Sequence, residues 1–340
     1  MSPSTFAIIV AWNDREFLPE LLASLAPAPA EDLQVLVVDN GSDDASSAVV
    51  RERFPHVAWL RNARNLGYAH AVNQGWRYAR GAWGGEAPAD RFVLLLSPDM
   101  VLTPDAVPRL RAALDAQPEA GSSGGVVRRA FRDPSSERPF AEAVRSDVID
   151  HAGWAVRRDR RFIARGAGSL DRGQYADVGA PFGVSASFGL FRSSALEAAQ
   201  LPGGGPGAGG LLDPALSPAA AGADLAWRLQ LAGWPAAFAP AARAWRFCGA
   251  QAASDSAASS ASSVIPPSDR WLLAAKNETL PSLLLALPWL FASWLGRAWK
   301  PSEAFAPFFV LAGLPSWRPK RRAVRALRRA AGTNLRSWFR

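Results

Sequence analysis

Two aspartates that follow short apolar runs could do chemistry at the ends of buried strands. Asp39 follows Leu-Val-Val, and Asp99 follows Leu-Leu-Leu-Ser-Pro. A carboxylate in such a position can hydrogen-bond a nucleoside, or it can hold a divalent cation against phosphate oxygens. Mg²⁺ commonly uses only one or two protein carboxylates and takes its other ligands from diphosphate and water. For either aspartate alone, the alternative is that it caps the helix or turn that follows.

Hydrophobic patterning predicts the elements that position these residues. Leucines at 18, 21, 22 and 25 recur at the spacing of one helix face, and we expect Asn13 to cap this helix. The segment Thr103-Pro104-Asp105 is typical of a helix start, with the threonine as cap. Further helices are predicted over Ala69–Arg80 and Ala223–Leu231, and strands over Phe6–Val10, Gln34–Val38, Val57–Leu60 and Phe92–Leu96.

Apolar strands separated by helices predict a parallel sheet that is covered on both faces. In open α/β sheets, ligands bind beyond the carboxyl ends of the strands. Polar residues gather at those predicted ends, namely Asn13, Asp39, Asn40, Ser42 and Asp99. The sequence therefore predicts one binding crevice at this edge of the sheet.

Composition excludes several other classes of protein. The chain has 340 residues, of which 49% are hydrophobic and 20% charged, so a sizeable core is possible and wholesale disorder is excluded. The single cysteine, Cys248, excludes a disulfide framework and a cysteine-based zinc cluster. The apolar run Phe6–Trp12 is too short for a signal peptide, so we expect this part of the chain to stay in the cytoplasm.

Four motifs in this order resemble the family 2 glycosyltransferases, and most closely their rhamnosyltransferase-like branch. The motifs are Ile8–Asn13, Val38–Asp43, Asn65–Gly75 and Leu96–Asp99, and a weaker similarity continues to residue 247. The resemblance implies an α/β GT-A fold: a Rossmann-like, mostly parallel sheet with helices on both faces. A C-terminal helical extension would follow that domain.

The resemblance also implies roles for individual residues. Asp39 would contact the base or ribose of a nucleotide-sugar donor. Asp99 would bind a divalent cation, Mg²⁺ or Mn²⁺, as the remaining acid of a metal motif in which Ser97 replaces the first acid. The other residues expected in the nucleotide pocket are Asn13, Asn40, Ser42, Asn65, Gly67 and Asn73.

The implied reaction is a single inverting displacement that moves the sugar to a cell-surface glycan or a lipid-linked acceptor. The family's Glu-Asp-x-Asp-Leu motif reads Ala-Gly-Ala-Asp-Leu here, so Gly222 stands in place of the usual base. Either Asp224 or Asp213 serves as the base, or the protein is a poor or inactive catalyst. A catalytically impaired GT-A protein that binds nucleotide or partner enzymes is therefore the alternative function. Arg246 stands where relatives often carry a histidine.

The C-terminal part of the chain has a different character. Residues 1–115 are predicted to be the nucleotide-sugar half and residues 116–247 the acceptor half of the GT-A domain. An Ala/Ser-rich linker at 248–270 and a helical segment at 271–340 follow. Thr279–Gly296 and Ala304–Trp317 carry no charge, whereas Arg318–Arg340 carries eight arginines, one lysine and no acid.

Uncharged runs beside a basic segment fit helices that lie on an anionic membrane, here as a peripheral protein on the inner face. A buried helical hairpin with a solvated basic end is the alternative structure. A nucleic-acid or other polyanion binder that uses the arginine-rich tail is the alternative function. We do not expect nucleic acid as partner, because the basic residues adjoin apolar tryptophan-rich runs and not a stacking platform.

Overall fold

The computed structural model describes residues 4–26, 32–85, 91–131, 142–176, 178–202, 210–248, 265–295, 314–331 and 335–339. Parts of several sequence segments lie outside the described residues. They include the glycine-rich run 203–209, residues 249–264 of the predicted Ala/Ser-rich linker, and residues 304–313 of the second uncharged run.

Strands and helices alternate in the first third of the chain, as predicted. The strands are β1 Thr5–Ala11, β2 Leu33–Asp39, β3 Ala58–Arg61, β4 Phe92–Leu96, β5 Met100–Leu102, β6 Ser122–Phe131, β7 Val144–His151, β8 Trp154–Val156, β9 Phe162–Ala164, β10 Phe188–Arg192 and β11 Ala236–Cys248. The helices are α1 Leu18–Leu25, α2 Ser46–Arg53, α3 Tyr68–Ala82, α4 Ala106–Ala116, α5 Ser193–Ala198, α6 Pro218–Leu231, α7 Pro267–Asn277, α8 Leu280–Leu295 and α9 Leu314–Ala331, followed by a 3₁₀ turn at Arg336–Trp338.

One large sheet runs through both halves of the domain, in the order β3-β2-β1-β4-β10-β6-β11-β5, with β7 paired to β6. The first four strands are parallel, which confirms the predicted arrangement. Strand β10 is antiparallel to both β4 and β6, whereas β11 is parallel to β6. Strands β8 and β9 form a separate hairpin. The sheet thus places the ends of β1, β2 and β4 at one edge.

The sheet is buried on both faces, which explains why its strands are continuously apolar. Successive residues of β1 enter different core layers. Ile8 packs in a layer with Trp76 of α3, whereas Ile9 packs in the opposite layer with Leu21 of α1. The four leucines predicted to form the buried face of α1 are all buried.

Two predicted helix caps are wrong. Helix α1 begins at Leu18, and Asn13 lies outside it with a left-handed backbone, φ 60°. Helix α4 begins at Ala106, so Thr103 lies before its first turn. The threonine hydroxyl instead donates a hydrogen bond to the Arg243 carbonyl of β11. Both side chains serve tertiary contacts that local spacing does not reveal.

The C-terminal helices pack onto the GT-A domain. Helix α7 contacts α6, and α9 contacts both α6 and α7. Beyond α9, the rings of Trp338 and Phe339 pack against Phe182 and Trp227 in the domain core. Among the residues that the structure describes, no helix has the length and apolar character needed to cross a bilayer.

Candidate active site

The loop after β2 holds Asp39 in a buried position. Its Oδ1 accepts a 2.8 Å hydrogen bond from the Ser42 amide, and its Oδ2 lies 3.5 Å from Nε of Arg61. Oδ2 has no hydrogen-bond partner among the described residues. Gly41 between them has φ +82°, and a Cβ there would lie 2.7 Å from the Arg64 backbone. The close approach of two loops therefore requires glycine, and it holds Asp39 Oδ2 buried beside Arg61 without a hydrogen bond among the described residues.

The loop after β1 is tied to the loop after β2. The Asn13 amide donates to Ser42 Oγ at 2.9 Å, and Asn13 Oδ1 accepts from the Asp43 amide at 3.0 Å. Trp12 beside them exposes 55% of its surface. Asn13 and Ser42 thus shape this end of the sheet, and the exposed indole of Trp12 is available to stack on a base.

Asn40 joins this loop to the segment before α3. Its side-chain amide donates to Asn65 Oδ1 at 2.8 Å, and its Oδ1 accepts from the Leu66 amide at 3.0 Å. Asn65 Oδ1 also accepts from the amide of Gly67, whose φ of +88° suits only glycine. These groups hold the loop shape, and Asn65 itself remains exposed.

Asn73 has a structural environment. It is buried in α3, and its side-chain amide exchanges two 2.9 Å hydrogen bonds with the backbone of Leu212. These contacts tie α3 to the loop before α6. Since both polar ends of the amide are already used, the structure does not bring Asn73 together with the other predicted pocket residues.

Asp99 and Arg246 face each other beyond β4. Asp99 Oδ2 lies 3.5 Å from Nε of Arg246, and Asp99 Oδ1 is buried with no hydrogen-bond partner among the described residues. Arg246 Nη1 donates to Asp150 Oδ2 at 2.7 Å. Burial disfavours the charged guanidinium, but Asp99 and Asp150 outweigh this effect and raise the pKa of Arg246. Arg246 is therefore a permanent cation with only 3% of its surface exposed.

A crevice of about 130 Å³ opens beyond the strand ends. Its wall includes Ser97, Ser185, Ser187, Gly222 and Arg246. The lining that the structure describes contains no carboxylate. Gly222, which the resemblance places where relatives carry the base, lines this crevice, and the described lining offers no acid in its place.

Behind the serine wall lies His151. Its Nε2 is 3.2 Å from Ser187 Oγ, which is in turn 2.7 Å from Ser185 Oγ. Burial lowers the pKa of His151 to about 4, and the nearby charge of Arg246 adds to this effect while Asp150 opposes it. The imidazole is consequently neutral at physiological pH and forms a hydrogen-bonded chain that ends in the crevice.

Asp14 is a further acid near the site. Its Oδ2 accepts a 2.8 Å hydrogen bond from the Trp12 amide. Burial raises its pKa to about 6, and the negative charges of Asp99 and Asp44 add to the rise. The charge of Asp99 therefore acts on Asp14, so the two carboxylates repel each other electrostatically.

Asp224 and Asp213, the predicted bases, lie in a buried charge cluster behind the crevice. Asp224 is fully buried and lies 2.8 Å from both Arg228 Nε and Lys276 Nζ. Asp213 lies 2.8 Å from Lys276 and 2.5 Å from Lys320. The cluster joins α6, α7, α9 and the loop before α6.

The electrostatics of the cluster disfavour proton transfer. Burial alone would raise the pKa of each carboxyl, but the lysine charges outweigh it and lower both pKa values. Lys276 acts on both acids, with help from Arg228 at Asp224 and from Lys320 at Asp213. A carboxylate stabilised in this way is a weak base. Neither Asp224 nor Asp213 belongs to the crevice lining that the structure describes.

A divalent cation fits this site only with few protein ligands. Within the described ranges, no group of three or more His, Cys, Asp or Glu side chains could hold a metal. The unpartnered Asp99 Oδ1 is nevertheless a suitable oxygen ligand. A single carboxylate suffices for Mg²⁺ when diphosphate and water complete its coordination. Asp99 therefore fits the cation that the sequence predicts.

Sequence reasoning did not assign roles to four side chains near the crevice: Asp14, His151, Ser185 and Ser187. Asp14 and His151 come from segments to which the sequence assigns no motif, and the two serines lie in the more weakly similar part of the chain, just before β10. The nearest signal was His151 beside Asp150, which has no third partner in the sequence. The pairing of β6 with β7 and the approach of β10 bring His151 and the two serines together.

The fold and the crevice at the strand ends define a GT-A protein. Residues 6–172 match the family described as Glycosyl transferase family 2. This segment, just under half of the chain, is similar to that family of transferases, and the predicted resemblance to its rhamnosyltransferase-like branch is confirmed.

Two curated relatives illustrate the similarity. The N-acetylglucosaminyl-diphospho-decaprenol L-rhamnosyltransferase of Mycobacterium tuberculosis (strain ATCC 25618 / H37Rv) is 32% identical over 123 residues, 36% of this chain and 40% of the relative. The undecaprenyl-phosphate 4-deoxy-4-formamido-L-arabinose transferase of Pseudomonas fluorescens (strain Pf0-1) is 31% identical over 157 residues, 44% of this chain and 42% of the relative. The matches thus span less than half of either curated relative.

Two solved structures share the fold at low sequence identity. GalNAc-T7 with UDP, GalNAc and Mn²⁺ has a TM-score of 0.60 and 10% identity, and the match covers 98% of this chain and 57% of that one. The mannosyltransferase PcManGT from Pyrobaculum calidifontis, in complex with GDP-Man and Mn²⁺, has a TM-score of 0.52 and 18% identity, with coverages of 98% and 86%. They confirm the predicted GT-A fold.

Proposed function

We propose that this protein transfers a sugar from a nucleotide-sugar donor to a lipid-linked or cell-surface glycan acceptor, with inversion at the anomeric carbon. One observation carries the proposal: Asp39 and Asp99 follow strands on either side of β1, so both lie at the edge of the sheet where the crevice opens. The two strands are about 10 Å apart. The names of the curated relatives support a lipid-linked acceptor, and the UDP and GDP-Man of the two named solved structures support a nucleotide-sugar donor.

The nucleoside end of the donor lies at the loop after β2. Asp39 Oδ2 lies beside Arg61 but accepts no hydrogen bond among the described residues, so it would accept one from the ribose or the base. The exposed indole of Trp12 covers the base, while Asn13 and Ser42 hold the two loops in place. In this assignment, Asn40, Asn65 and Gly67 hold the loops that form the nucleoside pocket.

The diphosphate end of the donor lies beside Asp99. A divalent cation held there would supply positive charge to the departing diphosphate. Asp99 Oδ1 would hold it, because that oxygen is buried and unpartnered among the described residues. The two named solved structures contain Mn²⁺, which supports this choice of ion.

A second candidate function follows from Gly222. Losing a general base costs about 10²–10⁴ in rate, and the described crevice wall has no carboxylate to replace it. A catalytically impaired GT-A protein that binds nucleotide is therefore the competing function. That Asp224 or Asp213 accepts the proton remains a prediction from the sequence, and their burial among cations argues against it.

A transfer assay separates the two candidates. The full chain is incubated with Mn²⁺, a panel of nucleotide-sugars and a polyprenyl-diphosphate-linked sugar, and the released nucleoside diphosphate is measured. We expect release only when donor and acceptor are both present, and its loss in Asp99→Asn. Asp105→Asn, which changes an exposed acid at the start of α4, is the control. Nucleotide binding without release from any donor would defeat the enzyme and favour the impaired protein.

We also propose that the protein is peripheral on the inner membrane face, with α8 against the bilayer. Helix α8 carries no charged residue, and one face packs on Trp271 and Ala274 of α7. The other face is exposed and includes Leu284, Leu285 and Trp289, which are 65%, 66% and 51% exposed. Arg158 lies over the Trp289 ring, and exposed arginines follow in α9. Apolar and cationic groups together favour an anionic lipid surface.

Vesicle flotation tests this placement. We expect the full chain to float with vesicles that contain anionic lipid. When the vesicles are neutral, the protein should stay in the lower fraction. The double variant Leu285→Ser, Trp289→Ser should lose flotation. Val144→Ser, which removes a 58% exposed apolar side chain from β7, is the matched control. Equal flotation of the double variant would exclude α8 as the membrane surface, and DNA binding that is lost on deleting residues 318–340 would favour the polyanion function.

A further inference from the structure

Arg246 has unused hydrogen-bonding capacity in the crevice. Its Nη1 donates to Asp150, whereas its Nε and Nη2 have no hydrogen-bond partner among the described residues. Arg246 is only 3% exposed, and it lines the crevice. A buried guanidinium with free donors loses free energy unless a ligand satisfies them.

The two acids near Arg246 fix its guanidinium but leave some of its N–H donors without an acceptor. Asp150 is shared, because Arg129 Nε lies 3.8 Å from its other oxygen. Asp99 is 3.5 Å from Arg246 Nε, beyond a good hydrogen-bond distance. The guanidinium is thereby fixed through Nη1, whereas Nε and Nη2 remain able to donate to a ligand.

We propose that Arg246 binds a phosphate oxygen of the donor's diphosphate and acts as a cation built into the crevice. The inference rests on the proposed nucleotide-sugar site. A planar guanidinium presents paired donors that match two phosphate oxygens, and such charge-assisted bonds are about twice as strong as neutral ones. The hydroxyls of Ser185 and Ser187 line the same crevice.

A second consequence concerns the divalent cation. Asp99 and Arg246 lie side by side, so a cation on Asp99 and the guanidinium would hold the same diphosphate from two sides. The leaving group then meets positive charge even when no divalent cation is bound. Diphosphate binding is accordingly only partly dependent on the metal.

Inorganic pyrophosphate is the probe, because it has no base or sugar. Its affinity for the full chain is measured by calorimetry, once with Mn²⁺ and once with a chelator. We expect the wild type to bind in chelator, and Arg246→Met to bind at least tenfold more weakly there, which corresponds to one charge-assisted hydrogen bond. Arg246→Lys should have an intermediate affinity for pyrophosphate, because it keeps the positive charge but loses the paired donors of the guanidinium. Asp99→Asn should lose the gain that Mn²⁺ provides.

Arg243→Gln is the matched control, since it removes an exposed arginine from the same strand and should leave affinity unchanged. Thermal unfolding without ligand identifies any variant that fails to fold. The inference is overturned if the wild type does not bind pyrophosphate in chelator, or if Arg246→Met binds there as tightly as the wild type. Sugar transfer with strictly metal-dependent pyrophosphate binding would defeat this inference alone. Arg246-dependent binding without any transfer would defeat only the enzyme.

Discussion

The ammonium group of Lys320 in α9 donates a 2.5 Å hydrogen bond to Asp213 Oδ1 in the loop before α6. The contact joins residues 107 positions apart in the chain. Because α6 carries Gly222 on the crevice wall, the C-terminal helix is part of the structure that shapes the site. The basic tail is therefore not only a surface feature.

Removing the Lys320 charge should lower stability. Lys320→Met leaves Asp213 with Lys276 as its remaining cation, so we expect a loss of about 1–3 kcal/mol in the free energy of unfolding. Chemical denaturation measures it. Arg322→Gln removes an exposed charge from the same helix and should change the value by less than about 0.5 kcal/mol. Equal losses in both variants would show that net charge, and not the contact, matters.

The two ends of the proposed donor site should be separable by ligand. Asp39→Asn keeps an oxygen to accept the Ser42 amide but loses the charge facing the nucleoside. We expect affinity for the preferred nucleoside diphosphate to fall about tenfold or more, while pyrophosphate affinity is unchanged. Calorimetry with both ligands measures this. Asp43→Asn, an exposed acid in the same loop, is the control, and a parallel loss of pyrophosphate binding would contradict the assignment.

Restoring a carboxylate at position 222 should increase turnover. Gly222 faces the crevice, and a Cβ there would lie 3.0 Å from Ala186 Cβ. The double variant Gly222→Glu, Ala186→Gly relieves that contact. We expect a rate gain toward the 10²–10⁴ that a general base contributes, roughly tenfold at minimum. The release assay measures it, with Gly222→Gln, Ala186→Gly as the isosteric control. An unchanged rate would mean that proton transfer does not limit turnover.

Two buried groups should give opposite pH dependences of stability. The pKa of His151 is lowered from 6.5 to about 4, so its contribution is present above pH 6.5 and is lost as pH falls toward 4. The pKa of Asp14 is raised from 3.8 to about 6, so folding becomes more favourable as pH falls through this window. Each effect amounts to about 3 kcal/mol, and the two largely cancel in the wild type.

Single variants separate these effects. His151→Gln should become more stable on acidification from pH 6.5 to 4.5, and Asp14→Asn should become less stable. Urea denaturation at several pH values measures both trends. The same slope in both variants would show that neither group controls stability in this range.

Local patterning in the sequence predicts the parallel half of the sheet well. Continuous apolar runs ending in Asp39 and Asp99 indicate buried strands, and spacing of three and four places the leucines of α1 on one face. Because parallel strands align their carboxyl ends, the sequence also predicts that the polar residues after them share an edge. These features depend on neighbours within a few residues.

Only the tertiary structure decides the fate of the other charged groups. The sequence offers Asp224, two residues after Gly222, as a substitute base, yet Lys276 and Arg228 surround it in the core. Arg246 lies on an ordinary strand, yet the pairing of β11 with β5 and β6 turns it toward Asp99 and Asp150. The Asp224–Arg228 pair spans one turn of α6, whereas the pairs made by Lys276 and Arg246 join segments distant in the chain and leave no periodic signal. Their energy depends on burial and distance, and both exist only after folding.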